Sequence, residues 1–208
     1  DGKERTAVCC LCSLNLETWF EWNEEEQFIP DVMRFLDNVL QDFIDNAPDE
    51  MERARYSAAR ERSVGLGVMG LHSFYQSQNI PLESVMAKVW NKKMFKHIRE
   101  QADVASVELA HERGACPDAA DYGIMERFSS KMAIAPTASI SIICGGSSPG
   151  IEPIAANSFT HKTLSGSFSV KNKYLKTLLA EKNEDTEEVW SSITTHEGSV
   201  QHLDFLSD

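Results

Sequence analysis

Length, composition and charge set the first limits on this chain. Its 208 residues are 42% hydrophobic, enough for the core of one ordinary domain or of one large piece of a bigger domain. The formal charge of -12 argues against sequence-independent binding to nucleic acid, which relies on Lys and Arg to neutralise phosphates. A local ring of backbone amides and hydroxyls can still hold a single phosphate group. No apolar run approaches a membrane span and residues 1–5 do not resemble a signal peptide, so we expect a cytoplasmic protein.

The chain contains five cysteines, an odd number without an export signal, which argues against a structural disulfide framework. Three of them fall within four positions near the N-terminus, at Cys9, Cys10 and Cys12. No second Cys or His pair follows at the spacing of a zinc site, and the surrounding pattern is not that of a Cys-x-x-Cys redox fold. Two interpretations remain: small buried residues on a strand, or one redox-active cysteine.

Apolar periodicity predicts the first elements. Residues 6–16 alternate and predict a strand, and from Pro30 the spacing becomes that of a helix, which residues 45–48 end. The predicted inward stripe of this helix is Val32, Phe35, Leu36, Val39, Leu40, Phe43 and Ile44. A second helix, rich in Arg and Ala, is predicted over residues 50–62.

Residues 65–70 match the Gly-x-Gly-x-x-Gly pattern of dinucleotide-binding folds through Gly65, Gly67 and Gly70. That fingerprint has to follow a hydrophobic strand and open a helix in a βαβ unit. Here an arginine-rich helix precedes it, and no second parallel strand follows at the required distance. We therefore interpret the glycines as positions where a helix or turn approaches another backbone closely.

The longest predicted helix covers residues 82–112 and would be about 45 Å long, which suits the flank of a large sheet or barrel. Gly114 closes it. Its inward residues are predicted to be Val85, Val89, Phe95, Ile98, Ala102, Ala105 and Leu109.

Residues 132–141 have the form of a short buried strand that leads into a polar turn. Pro136 ends the apolar run 132–135, and Thr137 and Ser139 follow it. Small hydroxyl residues at the start of a helix can hold an anion, because the first amides of a helix have no internal partner. The alternative is an ordinary strand-to-helix N-cap, since capping Ser and Thr are common.

The remaining elements follow in order. An ordered loop is predicted over residues 145–153, in which Glu152 either receives backbone donors or faces a ligand. Residues 159–170 alternate as strands do, and helices are predicted over residues 172–182 and 187–195. We expect residues 1–208 to form a single fragment without a separate second domain.

Five segments, in this order, resemble the C-terminal part of the catalytic barrel of class I ribonucleotide reductase large subunits. They are residues 7–16 (AVCCLCSLNL), 62–71 (RSVGLGVMGL), 135–139 (APTAS), 150–153 (GIEP) and 164–168 (LSGSF). Any one of them is a weak signal, whereas five in register are a strong one. The resemblance implies an α/β fold, namely a helix-rich part of the family's ten-stranded α/β barrel.

In that family two cysteines on neighbouring strands supply the reducing electrons, and the second lies six residues before the Asn of a Ser-Leu-Asn-like stretch. The resemblance therefore implies that Cys9, six residues before Asn15, is a redox-active catalytic cysteine whose partner cysteine lies upstream of the chain. Cys10 is then expected to point to the opposite face of its strand. The cysteines other than Cys9 are expected to be packing residues, namely Cys10, Cys12, Cys116 and Cys144.

The resemblance also makes the polar turn the seat of the substrate diphosphate. The implied binding residues are Pro136, Thr137, Ala138, Ser139 and Ile140. The implied activity is that of an oxidoreductase that makes deoxyribonucleotides from ribonucleoside diphosphates by thiyl-radical chemistry. Implied partners are the N-terminal part of the same large subunit, a small metal-containing subunit that supplies the radical, and a thioredoxin-type or glutaredoxin-type reductant. No metal site and no cofactor are expected in this chain, and neither nucleic acid nor a membrane is an expected partner.

Other parts of the family's machinery are expected outside this chain. Its radical cysteine, flanked by Asn and Glu, should lie upstream of Asp1, and its paired tyrosines and C-terminal cysteine pair beyond Asp208. The chain is therefore expected to be inactive alone. Two alternatives stay open: a fragment of an adenosylcobalamin-dependent (class II) reductase, which shares the barrel and the turn, or a non-catalytic binding module. The presence of both Cys9 and the turn argues against the second.

Overall fold

The computed structural model describes residues 2–163 and 166–206. Two compact units divide the chain, Asp1–Glu152 and Pro153–Asp208. The expectation of one barrel fragment without a second domain stays a prediction. None of the helices in the described residues is both long and apolar enough to cross a membrane.

A small parallel sheet organises the first unit. Strand β1 (Cys10–Asn15) pairs in parallel with β2 (Val64–Met69) along its whole length. A third segment runs beside β2, where the Leu66 amide donates to the Lys131 carbonyl (2.9 Å) and the Ala133 amide donates to the Leu66 carbonyl (3.2 Å). Because all three run in the same direction, their carboxyl ends lie at one edge of the sheet.

This third segment corrects the prediction of a short buried strand over residues 132–135. Only one ladder bridge forms, between Leu66 and Met132, and Ile134 is 46% exposed. The hydrogen bonds to β2 end at Ala133, and Pro136 has no amide hydrogen with which to continue them. The segment is therefore extended but leaves the sheet before the polar turn.

Among the helices of the first unit, the second, third and fifth were predicted from the sequence. The helices of this unit are α1 (Trp19–Trp22), α2 (Phe28–Asn46), α3 (Glu52–Glu61), α4 (Leu71–Ser77), α5 (Val85–Arg113), α6 (Pro117–Ala120) and α7 (Ile140–Ile143). Helix α2 ends before Pro48, which disfavours helical backbone at Ala47. Helix α5 ends at Gly114, whose φ of 89° lies in the region that glycine adopts most readily.

The inward faces of the two long helices differ from the predicted stripes. Phe35 and Val39 on α2 are 60% and 40% exposed, and Val85 and Val89 on α5 are 74% and 51% exposed. Six predicted residues are nevertheless buried, and other residues complete the buried rows: the six are Leu36, Leu40, Ile98, Ala102, Ala105 and Leu109. On α2 the buried row is Ile29, Met33, Leu36 and Leu40, and on α5 it is Ala87, Met94, Ile98, Ala102, Ala105 and Leu109. Packing of α2 against α5 and the sheet, rather than hydrophobicity alone, selects these faces.

The glycine motif forms a strand, which corrects the expectation of a helix or turn there. Gly65 and Gly67 lie within β2, and Gly70 follows it with a φ of 79° and begins α4. A Cβ atom placed on Gly67 would lie 2.2 Å from the Ala133 carbonyl oxygen, so the close backbone approach is confirmed. Every residue of β2 is buried, and such a strand does not show the alternation that marks a strand with one exposed face.

The second unit contains a hairpin and two helices, close to the predicted bounds. Strands β3 (Ser158–Thr163) and β4 (Gly166–Lys171) are antiparallel, and α8 (Lys173–Glu181) and α9 (Glu187–Thr195) follow. The Asn172 side chain caps α8 and the Thr186 side chain caps α9. The core of this unit consists of Leu175, Leu179, Trp190, Ile193 and Leu203. Leu164 and Ser165, the first two residues of the LSGSF segment, lie outside the described residues.

Candidate functional site

Cys9 lies immediately before β1, and its thiol faces away from the hydrophobic core. Side chains alternate along a strand, and those of Leu14, Val64 and Leu66 point into the core, which leaves Cys9 and Leu11 on the other face. A Cβ atom placed on Gly65 would lie 2.9 Å from Cys9 Sγ. The thiol therefore lies against β2 at Gly65, a position that has no side chain.

The other cysteines separate into two groups. Cys10 and Cys12 pack against the hydrophobic core, on the face opposite Cys9, and Cys116 is fully buried, as predicted. Cys144 follows α7 and is exposed, so its predicted packing role is wrong. It is the C-cap residue of this one-turn helix. All five are free thiols.

Partial burial raises the pKa of the Cys9 thiol above its ordinary value. Its Sγ also lies 3.9 Å from the Cys10 carbonyl oxygen, within the range of a weak S–H donor. Cys9 is therefore protonated at neutral pH, so it can donate a hydrogen atom or a proton but is a poor nucleophile toward external oxidants.

The polar turn, Pro136 to Ile140, presents three consecutive exposed residues. Ala138, Ser139 and Ile140 are exposed, and the Ser139 side chain makes no capping hydrogen bond to α7. In the described part of the chain no carbonyl accepts from the backbone amides of these three residues. The turn thus offers backbone and hydroxyl donors beyond the carboxyl edge of the sheet.

Thr137 has a different environment from the rest of the turn. It is buried, with a φ of 51°, and its Oγ1 accepts a hydrogen bond from the Gly150 amide at 2.8 Å. Its carbonyl accepts from the Ser141 amide at 2.9 Å. Thr137 therefore holds the two ends of the loop together, and its hydroxyl retains one hydrogen to donate elsewhere.

The loop after α7 is fixed to the ends of both strands, which the sequence interpretation missed. Asn15 Oδ1 accepts from the Glu17 amide (3.1 Å) and from Ser147 Oγ (3.0 Å). The Gly70 amide donates to the Ser148 carbonyl at 2.7 Å. A Cβ atom on Gly70 would lie 2.5 Å from both Asn15 Oδ1 and Ser147 Oγ, so only glycine fits at this junction.

A second pair of serines closes the same loop onto α4. The Ser73 amide donates to Ser148 Oγ (3.0 Å), and the Ser148 amide donates to Ser73 Oγ (2.8 Å). Both serines are buried, so each bond satisfies groups that water cannot reach. Glu152, by contrast, is exposed, and its amide donates to the Pro149 carbonyl at 3.2 Å.

The candidate site residues lie beside one sheet. Ala133 Cβ would lie 3.0 Å from a Cβ on Gly65, so Ala133 and Cys9 meet around this glycine, and Pro136 follows three residues later. Within residues 2–163 and 166–206 no group of three or more His, Cys, Asp or Glu side chains could hold a metal ion. The arrangement therefore combines a protonated thiol with an exposed turn whose backbone amides donate to no carbonyl in the described residues.

Comparison with known proteins decides the family. A model of the ribonucleotide reductase barrel domain matches residues 1–122 and 118–208. The chain belongs to the ribonucleotide reductase barrel-domain family. The predicted fold class, a helix-rich part of the ribonucleotide reductase α/β barrel, and the resemblance to class I large subunits are confirmed.

The chain is similar over nearly its whole length to individual ribonucleotide reductase large subunits, of which it covers only a part. It is 50% identical over 206 residues to a ribonucleoside-diphosphate reductase large subunit of Invertebrate iridescent virus 3, covering 98% of this chain and 32% of the relative. A putative large subunit of Frog virus 3 is 42% identical over 208 residues, 99% of this chain and 36% of the relative. The chain thus spans about a third of the length of these relatives.

A solved structure agrees with these sequence matches. The class Id ribonucleotide reductase alpha subunit of Actinobacillus ureae superposes with a TM-score of 0.87 at 40% sequence identity, over 99% of this chain and 37% of that one. These relatives favour a class I large subunit over the adenosylcobalamin-dependent alternative and over a non-catalytic binding module.

Proposed function

We propose that this chain forms part of the catalytic barrel of a ribonucleoside-diphosphate reductase large subunit, an oxidoreductase that converts ribonucleotides to deoxyribonucleotides. One observation supports the proposal: in a chain of this family, a partly buried, protonated thiol and an exposed turn with available amide donors lie beside the same parallel sheet. The relatives' names, which specify ribonucleoside-diphosphate reductases, support a diphosphate substrate.

Cys9 supplies one of the two thiols that reduce the substrate. In the net reaction two thiols lose two electrons and two protons and become a disulfide, while the ribose C–OH becomes C–H and the oxygen leaves as water. The second thiol belongs to a cysteine outside this chain. A raised pKa suits Cys9 to this role, because it keeps the thiol protonated until the substrate radical needs its hydrogen.

The polar turn holds the substrate's diphosphate. The amides of Ala138, Ser139 and Ile140 and the Ser139 hydroxyl are its donors, and together they supply hydrogen bonds without a cationic side chain. Thr137 shapes the turn through the Gly150 amide and has one hydroxyl hydrogen left for the phosphate. Pro136 sets the direction in which the turn leaves the sheet.

The partners follow from the same proposal. The rest of the large subunit completes the barrel, a small metal-containing subunit supplies the radical, and a thioredoxin-type or glutaredoxin-type protein reduces the disulfide after turnover. The chain itself holds none of that radical chemistry in this proposal. Its contribution is to place one thiol and one phosphate-binding turn beside the same sheet.

Substitution of neighbouring cysteines in the complete large subunit tests the proposal. Cys9→Ser should abolish turnover with a dithiol reductant, because no disulfide can form, while substrate still binds. Cys10→Ser is the matched control, since Cys10 is adjacent in sequence but faces the core, and it should retain most of the activity. Equal loss from both variants, or full activity of Cys9→Ser, would overturn the assignment.

A further inference from the structure

Three side chains converge on Gly65, the residue of β2 opposite Leu11. A Cβ atom placed on Gly65 would lie 2.5 Å from Leu11 Cδ2, 2.9 Å from Cys9 Sγ and 3.0 Å from Ala133 Cβ. Real Cβ atoms essentially never approach other heavy atoms to within 3.0 Å. Any side chain at position 65 would therefore have to displace at least two of these neighbours.

Backbone conformation does not explain why residue 65 is a glycine. Gly65 is absent from the positive-φ residues of the described chain and lies inside a regular parallel strand, where other residue types fit without strain. A strand interior is also a place where glycine costs stability, because it adds no packing and loses more entropy on folding. The requirement is therefore for space on one face of the sheet.

We propose that Gly65 is a positioning residue for Cys9: by leaving a gap in the face of β2, it lets the thiol lie against the sheet between Leu11 and Ala133. This inference rests on the proposed role of Cys9 in turnover. Cys9 precedes β1 and is exposed on its other sides, so Gly65 and its neighbours provide the contact that fixes where its sulfur lies.

The gap also accounts for the environment of the thiol. Burial against the sheet is what raises the pKa of Cys9. If a methyl group filled the gap, the sulfur would move outward into water, its pKa would fall toward the ordinary value, and more thiolate would be present at neutral pH. Position and protonation of the thiol would therefore change together.

The rate at which iodoacetamide alkylates Cys9 at pH 7.5 measures the exposure and protonation of this thiol in the 208-residue chain. In Gly65→Ala, Cys9 should react about threefold to tenfold faster than in the unsubstituted chain, because thiolate is the reactive form. Modification at each cysteine is read by peptide fragmentation. Cys10, which faces the core, and Cys116, which is fully buried, serve as internal controls, and their rates should not change.

A second variant distinguishes displacement of Cys9 from a general loss of stability. Leu11→Ala combined with Gly65→Ala removes the 2.5 Å conflict and leaves the 2.9 Å conflict with Cys9, so Cys9 should still react faster while thermal stability recovers. An unchanged Cys9 rate, or parallel acceleration of Cys10 and Cys116, would overturn the inference.

Turnover separates this inference from the proposed function. In the complete large subunit, Gly65→Ala should lower kcat about tenfold or more with little change in KM, because a displaced thiol misses its reacting atom while the phosphate seat is intact. Unchanged kcat despite faster alkylation would overturn a positioning role in catalysis. Failure of the proposed function itself would appear differently, as full activity of Cys9→Ser.

Discussion

Ser147 Oγ donates to Asn15 Oδ1 at 3.0 Å and so joins residues that are 132 positions apart in the chain. Asn15 ends the strand that Cys9 precedes, and Ser147 lies in the loop that returns from the polar turn. This bond therefore connects β1, which Cys9 precedes, to the loop that follows the proposed phosphate-binding turn. Both side chains are at least partly buried, so water competes poorly for it.

The first prediction concerns this connection. Ser147→Ala should lower the free energy of unfolding by about 1 kcal/mol and increase hydrogen exchange at the Gly150 amide, because the loop loses one of its attachments to β1. Asn15→Ala should lower the free energy of unfolding more than Ser147→Ala does, since it also removes the acceptor of the Glu17 amide. Asn15→Asp keeps an acceptor for both donors and serves as the control. Equal stability of Asn15→Ala and Asn15→Asp in urea denaturation would contradict the prediction.

The second prediction concerns Thr137, whose hydroxyl oxygen accepts from the Gly150 amide. Thr137→Val should destabilise the chain by about 1 to 3 kcal/mol, because it leaves a buried amide without a partner. Thr137→Ser keeps the hydroxyl oxygen and should lose much less stability. Thermal unfolding followed by circular dichroism distinguishes the two, and a stable Thr137→Val variant with weakened substrate binding would show that Thr137 acts only on the ligand.

The third prediction tests the turn as a phosphate seat. Ala138→Asp should strongly weaken nucleotide binding by the complete large subunit, because it places a carboxylate against the phosphate. Ala138→Asn has nearly the same shape without the charge and should weaken binding much less. Ser139→Ala should weaken binding by about 1.5 to 3 kcal/mol without changing stability, since the Ser139 side chain makes no capping bond. Isothermal titration calorimetry with a ribonucleoside diphosphate measures all three, and unchanged affinity of Ala138→Asp would leave the turn as a helix cap only.

The fourth prediction concerns the fully buried carboxylate of Asp37 on α2. Burial by itself would raise the pKa of Asp37, but hydrogen bonds from Arg127, Arg62 and Arg113 outweigh it and hold the pKa below its ordinary value. Asp37→Asn should therefore cost about 3 to 5 kcal/mol at pH 7, because it leaves buried guanidinium groups without their anion. Asp42→Asn, an exposed position on the same helix, is the control and should have little effect.

The stability difference between the unsubstituted chain and Asp37→Asn should depend on pH, because the pKa of Asp37 is lowered in the folded state. A carboxylate with a lowered pKa in the folded state adds stability above the pKa of the unfolded chain, about 3.9 for Asp, and loses it as the pH falls through the folded value. The difference between the unsubstituted chain and Asp37→Asn should thus be constant near neutral pH and shrink below about pH 4. Urea denaturation at a series of pH values measures it, and a constant difference down to pH 2 would contradict the role of the charge.

The sequence determined the elements whose signals are local. The local signals determined the helix ends at Pro48 and Gly114 and the extended segment before Pro136. They also determined the strand-forming residues 159–170 and the helices of the second unit. The family could be inferred because five short segments kept their order and spacing. The opposite directions of Cys9 and Cys10 also follow from the two-residue period of a strand.

Only the tertiary structure decided which faces and contacts those elements use. It buried Met33 and Met94 and left Phe35 and Val85 exposed, because packing of α2 against α5 and the sheet sets the orientation of both helices. The sequence did not predict the strand over residues 64–69, because a strand buried on both faces lacks the alternation of apolar and polar residues. Asn15 with Ser147, and Gly65 with Cys9, are contacts between segments far apart in the chain. No local pattern specifies such contacts, since they form only when the sheet brings those segments together.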